Sequence, residues 1–375
     1  MQISIERDPL IQALGQVMGA VDTKHTIPVL SNVLLETVGS SLCIVGTNLD
    51  IEVSTQIDAH VVKPGRLTAP ARELADIAAK ALPGAQIAIV FDPAGDKRMK
   101  VTAGRSNYML PTLPASDFPT MAAIDGGVSY SLLAESLSRL LGKVEHAMSS
   151  DVKTRYYLAG MRLHTVQDDG TDYLRTAATD GHRIAFADTP APEGSTLAPP
   201  VTIPRATVAL IQRIVGGRDG DVGLTVSAAK ILVRAGNTVL VSKLIDGGYV
   251  DYVRPIPTGK GTAEVRLKAS DLARGIDAAG IVNREKTLLL RFDFRPDGLA
   301  ISGKNNDGGV ADAEIETTHE GADILIGFNA KLLRDVAGVI GDGDMICQIW
   351  DKKTPIRIAE VDDPTVTYSV APSLA

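Results

Sequence analysis

A unit about one third of the chain in length occurs three times in this sequence, and that periodicity limits the fold more than any other feature. Each copy opens with a short alternating strand and an amphipathic helix. In the first copy Ile3 and Ile5 alternate with polar residues, Asp8 is placed to cap a helix, and Pro9 stands at its first position. Leu10, Leu14, Val17, Met18 and Val21 then share one helical face. The second copy offers Leu133, Leu137, Leu141 and Val144; the third offers Leu272, Ile276 and Ala279 behind Ser270 and Asp271. Next comes a strand running into a polar turn: Leu42 to Asp50 through Thr47-Asn48, Leu174 to His182 through Thr179-Asp180-Gly181, and Leu299 to Asp307 through Asn305-Asn306.

A second helix follows in each copy, at residues 70–82, 204–215 and 329–340, and each is stopped by glycine: Gly84, Gly216-Gly217 and Gly341. These helices align without gaps. Arg72, Arg205 and Lys331 share the first turn, Ile77, Leu210 and Val336 one core position, and Ala81, Ile214 and Ile340 another. Strand pairs follow, such as residues 86–91 with 98–103. The expected domains are 1–125, 126–254 and 255–375, joined through linkers that carry Pro114 and Pro119, then Pro255 and Pro257. Hairpin spacing without a βαβ pattern makes this an α+β fold with two helices on antiparallel sheets in each domain.

Composition narrows the function. The 375 residues are 45% hydrophobic and 22% charged, as in ordinary folded domains, and with 4% aromatics the cores must rest on Leu, Ile, Val and Ala. No apolar run is long enough for a membrane helix, and residues 1–8 lack the pattern of a signal peptide, so a cytoplasmic protein is expected. Net charge is −7, which leaves room for one basic face on an acidic body. Cys43 and Cys347 stand far apart, and like Trp350 they read as packing residues. His25, His60, His146, His164, His182 and His319 show no ligand spacing, so neither metal nor cofactor is expected. Asp180, His182 and Arg183 form the one cluster that resembles an acid/base site, but the equivalent turns of the other copies lack histidine. A scaffold without nucleic acid is the other rival reading, and the placement of the basic residues decides against or for it.

Several strings sit on this repeat in order: Pro28-Val29-Leu30-Ser31-Asn32, Pro70-Ala71-Arg72, Leu113-Pro114-Ala115-Ser116-Asp117-Phe118-Pro119, Arg155-Tyr156-Tyr157-Leu158, Ala178-Thr179-Asp180-Gly181-His182-Arg183 and Ser242-Lys243-Leu244-Ile245-Asp246-Gly247. With the threefold repeat, the whole chain resembles the β subunit of bacterial DNA polymerase III, the sliding clamp. The resemblance implies a head-to-tail homodimer whose six domains form a ring around double-stranded DNA, with helices lining the hole. It implies no catalysis. The implied partners are the polymerase III α subunit, other polymerases, a clamp loader, and mismatch-repair and ligase-type proteins that dock through a short peptide. A second-copy clamp with altered peptide specificity is the alternative.

Lys80, Arg139, Lys143, Arg205, Arg213, Arg274, Lys331 and Arg334 lie on the helical segments and would attract phosphates without reading bases. The resemblance adds Lys24 and Arg72. It also implies a peptide pocket carried by Leu158, Thr179, Gly181, His182, Arg183, Ile184, Val250, Arg254, Pro255, Val370 and Pro372. Its subunit interface would set Tyr108 and Leu110 against Ile281 and Val282, with Arg284, Glu285 and Lys286 beside them. Two departures stand out. Val250 replaces the proline the family usually carries, and the tail Ser369-Val370-Ala371-Pro372-Ser373 has small or polar residues where the family has methionines. Weaker binding of the usual motif, or a variant motif, is expected from this loss of adaptable apolar contact.

Overall fold

The structure, a computed structural model, describes residues 1–22, 26–95, 97–283 and 287–373. Two compact units are present: Met1–Ser138 with Pro192–Pro199 and Ala206–Leu244, and Arg139–Ala191 with Pro200–Arg205 and Ile245–Ala375. The threefold repeat is explicit in the order of elements. The first copy holds β1 (Gln2–Glu6), α1 (Arg7–Val17), β2 (Asn32–Val38), β3 (Ser41–Thr47), β4 (Ile51–Asp58), β5 (His60–Lys63), β6 (Arg66–Pro70), α2 (Ala71–Lys80), β7 (Gln86–Phe91), β8 (Arg98–Ala103) and β9 (Ser106–Pro111). The second holds β10 (Val128–Leu133), α3 (Ala134–Gly142), β11 (Gly160–Asp168), β12 (Thr171–Thr179), β13 (Arg183–Pro190), β14 (Val201–Pro204), α4 (Arg205–Val215), β15 (Asp221–Val226), β16 (Lys230–Ala235) and β17 (Thr238–Lys243). The third holds β18 (Ala263–Lys268), α5 (Ala269–Gly280), β19 (Leu289–Arg295), β20 (Gly298–Lys304), β21 (Val310–Ile315), β22 (Thr318–Gly321), β23 (Ile324–Asn329), α6 (Ala330–Ile340), β24 (Asp344–Ile349), β25 (Ile356–Glu360) and β26 (Val366–Val370).

Among the described residues every strand pairing is antiparallel. Each copy builds two ladders of fixed order. One is β1-β7-β8-β9, repeated as β10-β15-β16-β17 and β18-β24-β25-β26; the other is β6-β2-β3-β4, repeated as β14-β11-β12-β13 and β23-β19-β20-β21. Copies are joined through ladder ends. β4 of the first copy pairs with β17 of the second, giving an eight-stranded sheet, and β13 of the second pairs with β26 of the third, giving a nine-stranded one. The five- and four-stranded sheets that remain end in β9 and in β21.

The polar turns repeat down to single atoms. Asn48 Oδ1 accepts the backbone N–H groups of Asp50 and Ile51, Asp180 Oδ1 those of His182 and Arg183, and Asn305 Oδ1 those of Asp307 and Gly309. This is the Asx turn that such side chains favour. A hydroxyl bond spanning four residues recurs in the first two copies: Thr47 Oγ1 donates to Ile51 O at 3.0 Å and Thr179 Oγ1 to Arg183 O at 2.7 Å. One residue before these positions stand Gly46, Ala178 and Gly303. A Cβ on Gly46 would lie 2.8 Å from the Val17 carbonyl oxygen, and one on Gly303 would press on that of Ala279. The first helix of the first and third copies thus lies close over this strand, and only a small residue fits beneath it.

Alternation and helical period account for the cores. Leu10, Leu14, Val17, Leu137, Leu141, Val144, Leu272, Ile276 and Ala279 are all buried, as are Ile77, Leu210 and Val336. Some expectations fail in detail. The first helix begins at Arg7 with Glu6 in the capping position, so Asp8 is not its cap, and Pro9 is its third residue. Proline is tolerated there because first-turn N–H groups have no partner within the helix. Leu133 ends β10 and is 55% exposed, because the alternation of that strand turns it away from the buried Tyr130 and Leu132. Ile214 is buried, whereas Ala81 and Ile340 are only half-buried: α2 ends at Lys80, and Ile340 is the last residue of α6.

Candidate functional site

The basic residues of the helices fall into two groups. Arg72 and Lys80 on α2, Arg213 on α4 and Lys331 on α6 are exposed and make no ion pair among the described residues. Arg205 is exposed too, with one guanidinium N–H donated to Met148 O at 3.0 Å. Arg334 pairs with Asp277 through two bonds of 2.5 and 2.8 Å, and the hydrogen bond from Arg334 holds the Asp277 carboxyl below its ordinary range. Arg274 pairs with Asp271 on its own helix. Half-exposed pairs of this kind are worth little and open easily to a phosphate. Lys24 lies outside the described residues.

Arg139 and Lys143 require a correction: they are not free to meet a nucleic acid. Both project from the α3 segment into the last hairpin of the third copy. Lys143 Nζ lies 2.6 and 2.8 Å from the Glu360 carboxylate, which is 7% exposed and also accepts from the Tyr368 hydroxyl at 2.6 Å. Arg139 reaches Asp363 at 2.7 Å, the Thr365 hydroxyl, and the Asp188 carbonyl. Asp188 in turn takes a bidentate pair of 2.6 Å bonds from Arg175, whose guanidinium lies 4.1 Å over the Phe186 ring. Burial, aided by Glu360, pushes the Tyr368 phenol upward. His146 packs on the Tyr368 ring at 5.5 Å, and burial pulls its pKa down to about 3, so it is neutral. The two cations were read as helix-surface charges because sequence spacing cannot show a carboxylate more than 200 residues away.

Part of the expected pocket set lies side by side: the turn and the strand pairing bring Thr179, Arg183, Ile184 and Val370 together. Leu158, Thr179, Ile184 and Val370 are buried; Gly181, His182, Val250, Arg254 and Pro255 are exposed; Pro372 is half-buried. The β13–β26 pairing sets Arg183 opposite Val370 and Ile184 opposite Ser369, and Ala371 N–H donates to His182 O at 2.8 Å. Arg183 is clamped between Asp180 at 3.0 Å and Asp335 at 2.7 Å. Beneath the exposed loop, Ala177, Ile184 and Tyr252 pack together with Phe186, Tyr249 and Ile256. The Tyr249 hydroxyl accepts from Thr179 N–H at 3.2 Å, and Tyr252 bonds the His164 ring at 3.0 Å. This aromatic floor was missed in the sequence, although Tyr249-Val250-Asp251-Tyr252 carried its signal. The tail departures sit at the same place. Ser369 is buried with its hydroxyl unpartnered, and Ala371 and Ser373 are half-buried.

An open cleft runs beside this pocket, lined among others by His146, Arg155, His182, Arg183, Arg205 and Lys331. Nothing in it is arranged as an acid/base pair. The Asp180 carboxylate is taken up by the turn and by Arg183, and among the described residues no cluster suits a metal ion. Of the expected interface residues, Leu110 is buried, Tyr108 and Val282 are half-buried, and Ile281 is 74% exposed just beyond α5. Arg284, Glu285 and Lys286 lie outside the described residues.

The two groups of cations separate in a single experiment. Lys143→Ala strands the buried Glu360 carboxylate, so denaturant unfolding should show a loss at the low end of ~3–5 kcal/mol. Lys331→Ala should change stability by less than ~0.5 kcal/mol yet lower the salt slope of DNA binding by about one.

Three family profiles cover the chain: the N-terminal, central and C-terminal domains of the DNA polymerase III β subunit match residues 1–122, 131–251 and 254–373. The beta sliding clamp of Caulobacter vibrioides is 37% identical over 373 residues, covering 99% of both chains. That of Escherichia coli K12 is 30% identical over 373 residues with the same coverage. Among solved structures, the Caulobacter crescentus clamp superposes with a TM-score of 0.94 at 36% identity, covering 100% of this chain and 99% of that one. The Pseudomonas aeruginosa subunit gives 0.91 at 33%, with 100% of both chains covered. Similarity along the full length of these clamps does not favour the second-copy reading. With a threefold strand order, a buried joint between copies and full-length likeness to these proteins, the chain belongs to the β-subunit family of DNA polymerase III, the sliding clamps.

Proposed function

We propose that two copies of this chain close head to tail into a ring that encircles duplex DNA and slides along it, holding polymerases at the primer end. The observation that carries this reading is the strand order. Two joints along the chain are built by one rule, and the rule leaves one strand over at each end, β9 and β21. Unlike ends that fit each other give a heterologous contact, which closes into a ring when the rotation permits. Domain boundaries near residues 125 and 254 make three domains per chain and six per ring.

The ring works without chemistry. A polymerase tied to it meets the primer end at an effective concentration in the millimolar range, so dissociation no longer ends synthesis. Arg72, Lys80, Arg205, Arg213 and Lys331 are single, exposed and spread over three helices. Such charges hold phosphates loosely and read no sequence, as sliding requires. The partners in this reading are double-stranded DNA, a clamp loader, the polymerase III α subunit and other polymerases, and mismatch-repair and ligase-type proteins. The setting is the cytoplasm, where the chromosome is copied. Among the described residues no helix is long and apolar enough to cross a membrane.

Partner peptides dock on the surface that overlies the buried Leu158, Ile184 and Val370, beside the Val250–Pro255 loop, with Arg183 held rigid at the rim. Affinity there comes from a few desolvated anchors. Ala371 and Ser373 offer less apolar area than methionine would. The standard motif should therefore bind ~1–3 kcal/mol more weakly than to a methionine-bearing tail, and Ala371→Met with Ser373→Met should recover that difference in a peptide titration. Equal affinities for both tails would contradict it.

The ring itself is tested on singly nicked circular DNA with a clamp loader and ATP. Retention on the circle and loss after linearisation are expected. Equal retention on both forms would mean direct binding without encirclement.

A further inference from the structure

The turn and ladder that frame the peptide pocket proposed above are repeated where the first copy meets the second. Asp50 O accepts from Lys243 N–H at 2.9 Å, just as His182 O accepts from Ala371 N–H at 2.8 Å. Ile51 faces Ser242 where Arg183 faces Val370. Thr47 Oγ1 accepts from Leu49 N–H at 3.2 Å, and Thr179 Oγ1 from Gly181 N–H at 3.1 Å. Phe118 clusters with Val45, and Tyr252 with Ala177, in each case with the residue two places before that threonine. At the first of these joints Thr47, Leu49, Pro119, Met121, Lys230 and Lys243 are among the residues that line a separate pocket of about 210 Å³.

We infer that this second pocket takes a short segment of a partner protein in which a carboxylate stands beside an aliphatic side chain. Leu49 is the first reason. Its φ is 75°, and among the described non-glycine residues with positive φ it is the only apolar one; Gly181, its counterpart, has a φ of 91°. A left-handed leucine is costly, and such costs persist where a ligand is clamped. Its half-buried side chain is a wall of the pocket. Charge is the second reason. Lys230 is half-buried, its Nζ donates to Ala122 O at 2.9 Å, and among the described residues no carboxylate pairs with it. Lys243 pairs with Asp50 at 2.9 Å, but both side chains are more than half exposed, and such a pair opens readily to another carboxylate. The Glu52 carboxylate is already taken up by Met121 N–H at 2.7 Å, a bond that fixes the linker against the turn.

Size sets the rest. Small-molecule sites measure ~300–1,000 Å³, so this smaller pocket has room for one or two side chains of a peptide. An aliphatic side chain lies against Leu49, Pro119 and Met121, whose flexible thioether adapts to its shape. The neighbouring carboxylate then meets Lys230 and Lys243. The pocket at the second joint has Gly181 and Ala371 in the places of Leu49 and Lys243, so the two select different segments.

The test uses the full-length chain, isotope-labelled at its methionine methyls, and the probe peptide acetyl-Gly-Asp-Leu-Leu-Gly-amide beside a control with lysine in place of the aspartate. Met121 reports on this pocket and Met148 on the cleft beside the other one. The aspartate peptide should shift the Met121 methyl resonance saturably, with a dissociation constant of about 1–5 mM. Lys230→Glu or Lys243→Glu should weaken that binding about tenfold or more. Leu49→Gly should abolish the shift without lowering the midpoint of thermal unfolding, because glycine relieves the left-handed backbone. A Met121 resonance that stays in place, or that moves equally with the lysine peptide, overturns the inference. So does a Leu49→Gly chain that unfolds at lower temperature and binds as before, since Leu49 then serves packing alone. A shift confined to Met148 puts the peptide at the second joint, which overturns the inference and leaves the pocket proposed above standing.

Discussion

An antiparallel sheet that ends in an open strand carries a row of unpaired N–H and C=O groups, and everything else in this molecule follows from how those rows are used. Most proteins blunt such edges. Here they are the joints. The second copy lays its last strand on the first copy at β4, and the third lays its last strand on the second at β13. Each joint continues one sheet across two repeats, so register, spacing and orientation are set by backbone hydrogen bonds and not by loosely matched side chains. A chain built this way has β9 and β21 left over, and a closed ring would leave neither of these two open.

Side chains then distinguish joints that the backbone makes alike. Between the second and third copies the α3 segment is fastened by Lys143–Glu360 and Arg139–Asp363, with the Arg175–Asp188 pair of the second copy behind them, around Tyr368 and a neutral His146. Between the first and second the equivalent contact is an uncharged bond from Thr238 to Gln16. A buried ionic set is poor evidence for added stability, because its desolvation cost is high, but it is intolerant of partial removal. It holds Arg183, Ile184 and Val370 on a stiff support, and for a peptide docking as proposed above that leaves little reorganisation cost.

Much of this was legible in the sequence, for identifiable reasons. The threefold period, the polar turns and the glycine-stopped helices are local patterns, and local patterns survive into structure: Asn48, Asp180 and Asn305 make the same turn. The fold class followed from the same strings. Long-range pairing was not legible. Nothing near Arg139 or Lys143 announces Asp363 or Glu360, and nothing near Arg183 announces Asp335. Leu133 illustrates the opposite error: it fits a helical stripe, but a strand ends there and its alternation turns the side chain outward.

The most direct test of ring closure is the mass of the particle in solution, by sedimentation equilibrium across a hundredfold range of concentration. The chain weighs 39.5 kDa. A closed pair of joints should give one species of twice that mass, with nothing larger as concentration rises. A series that keeps growing would mean that the two ends meet without closing, and a persistent monomer would mean that they do not meet at all; either result would contradict the account.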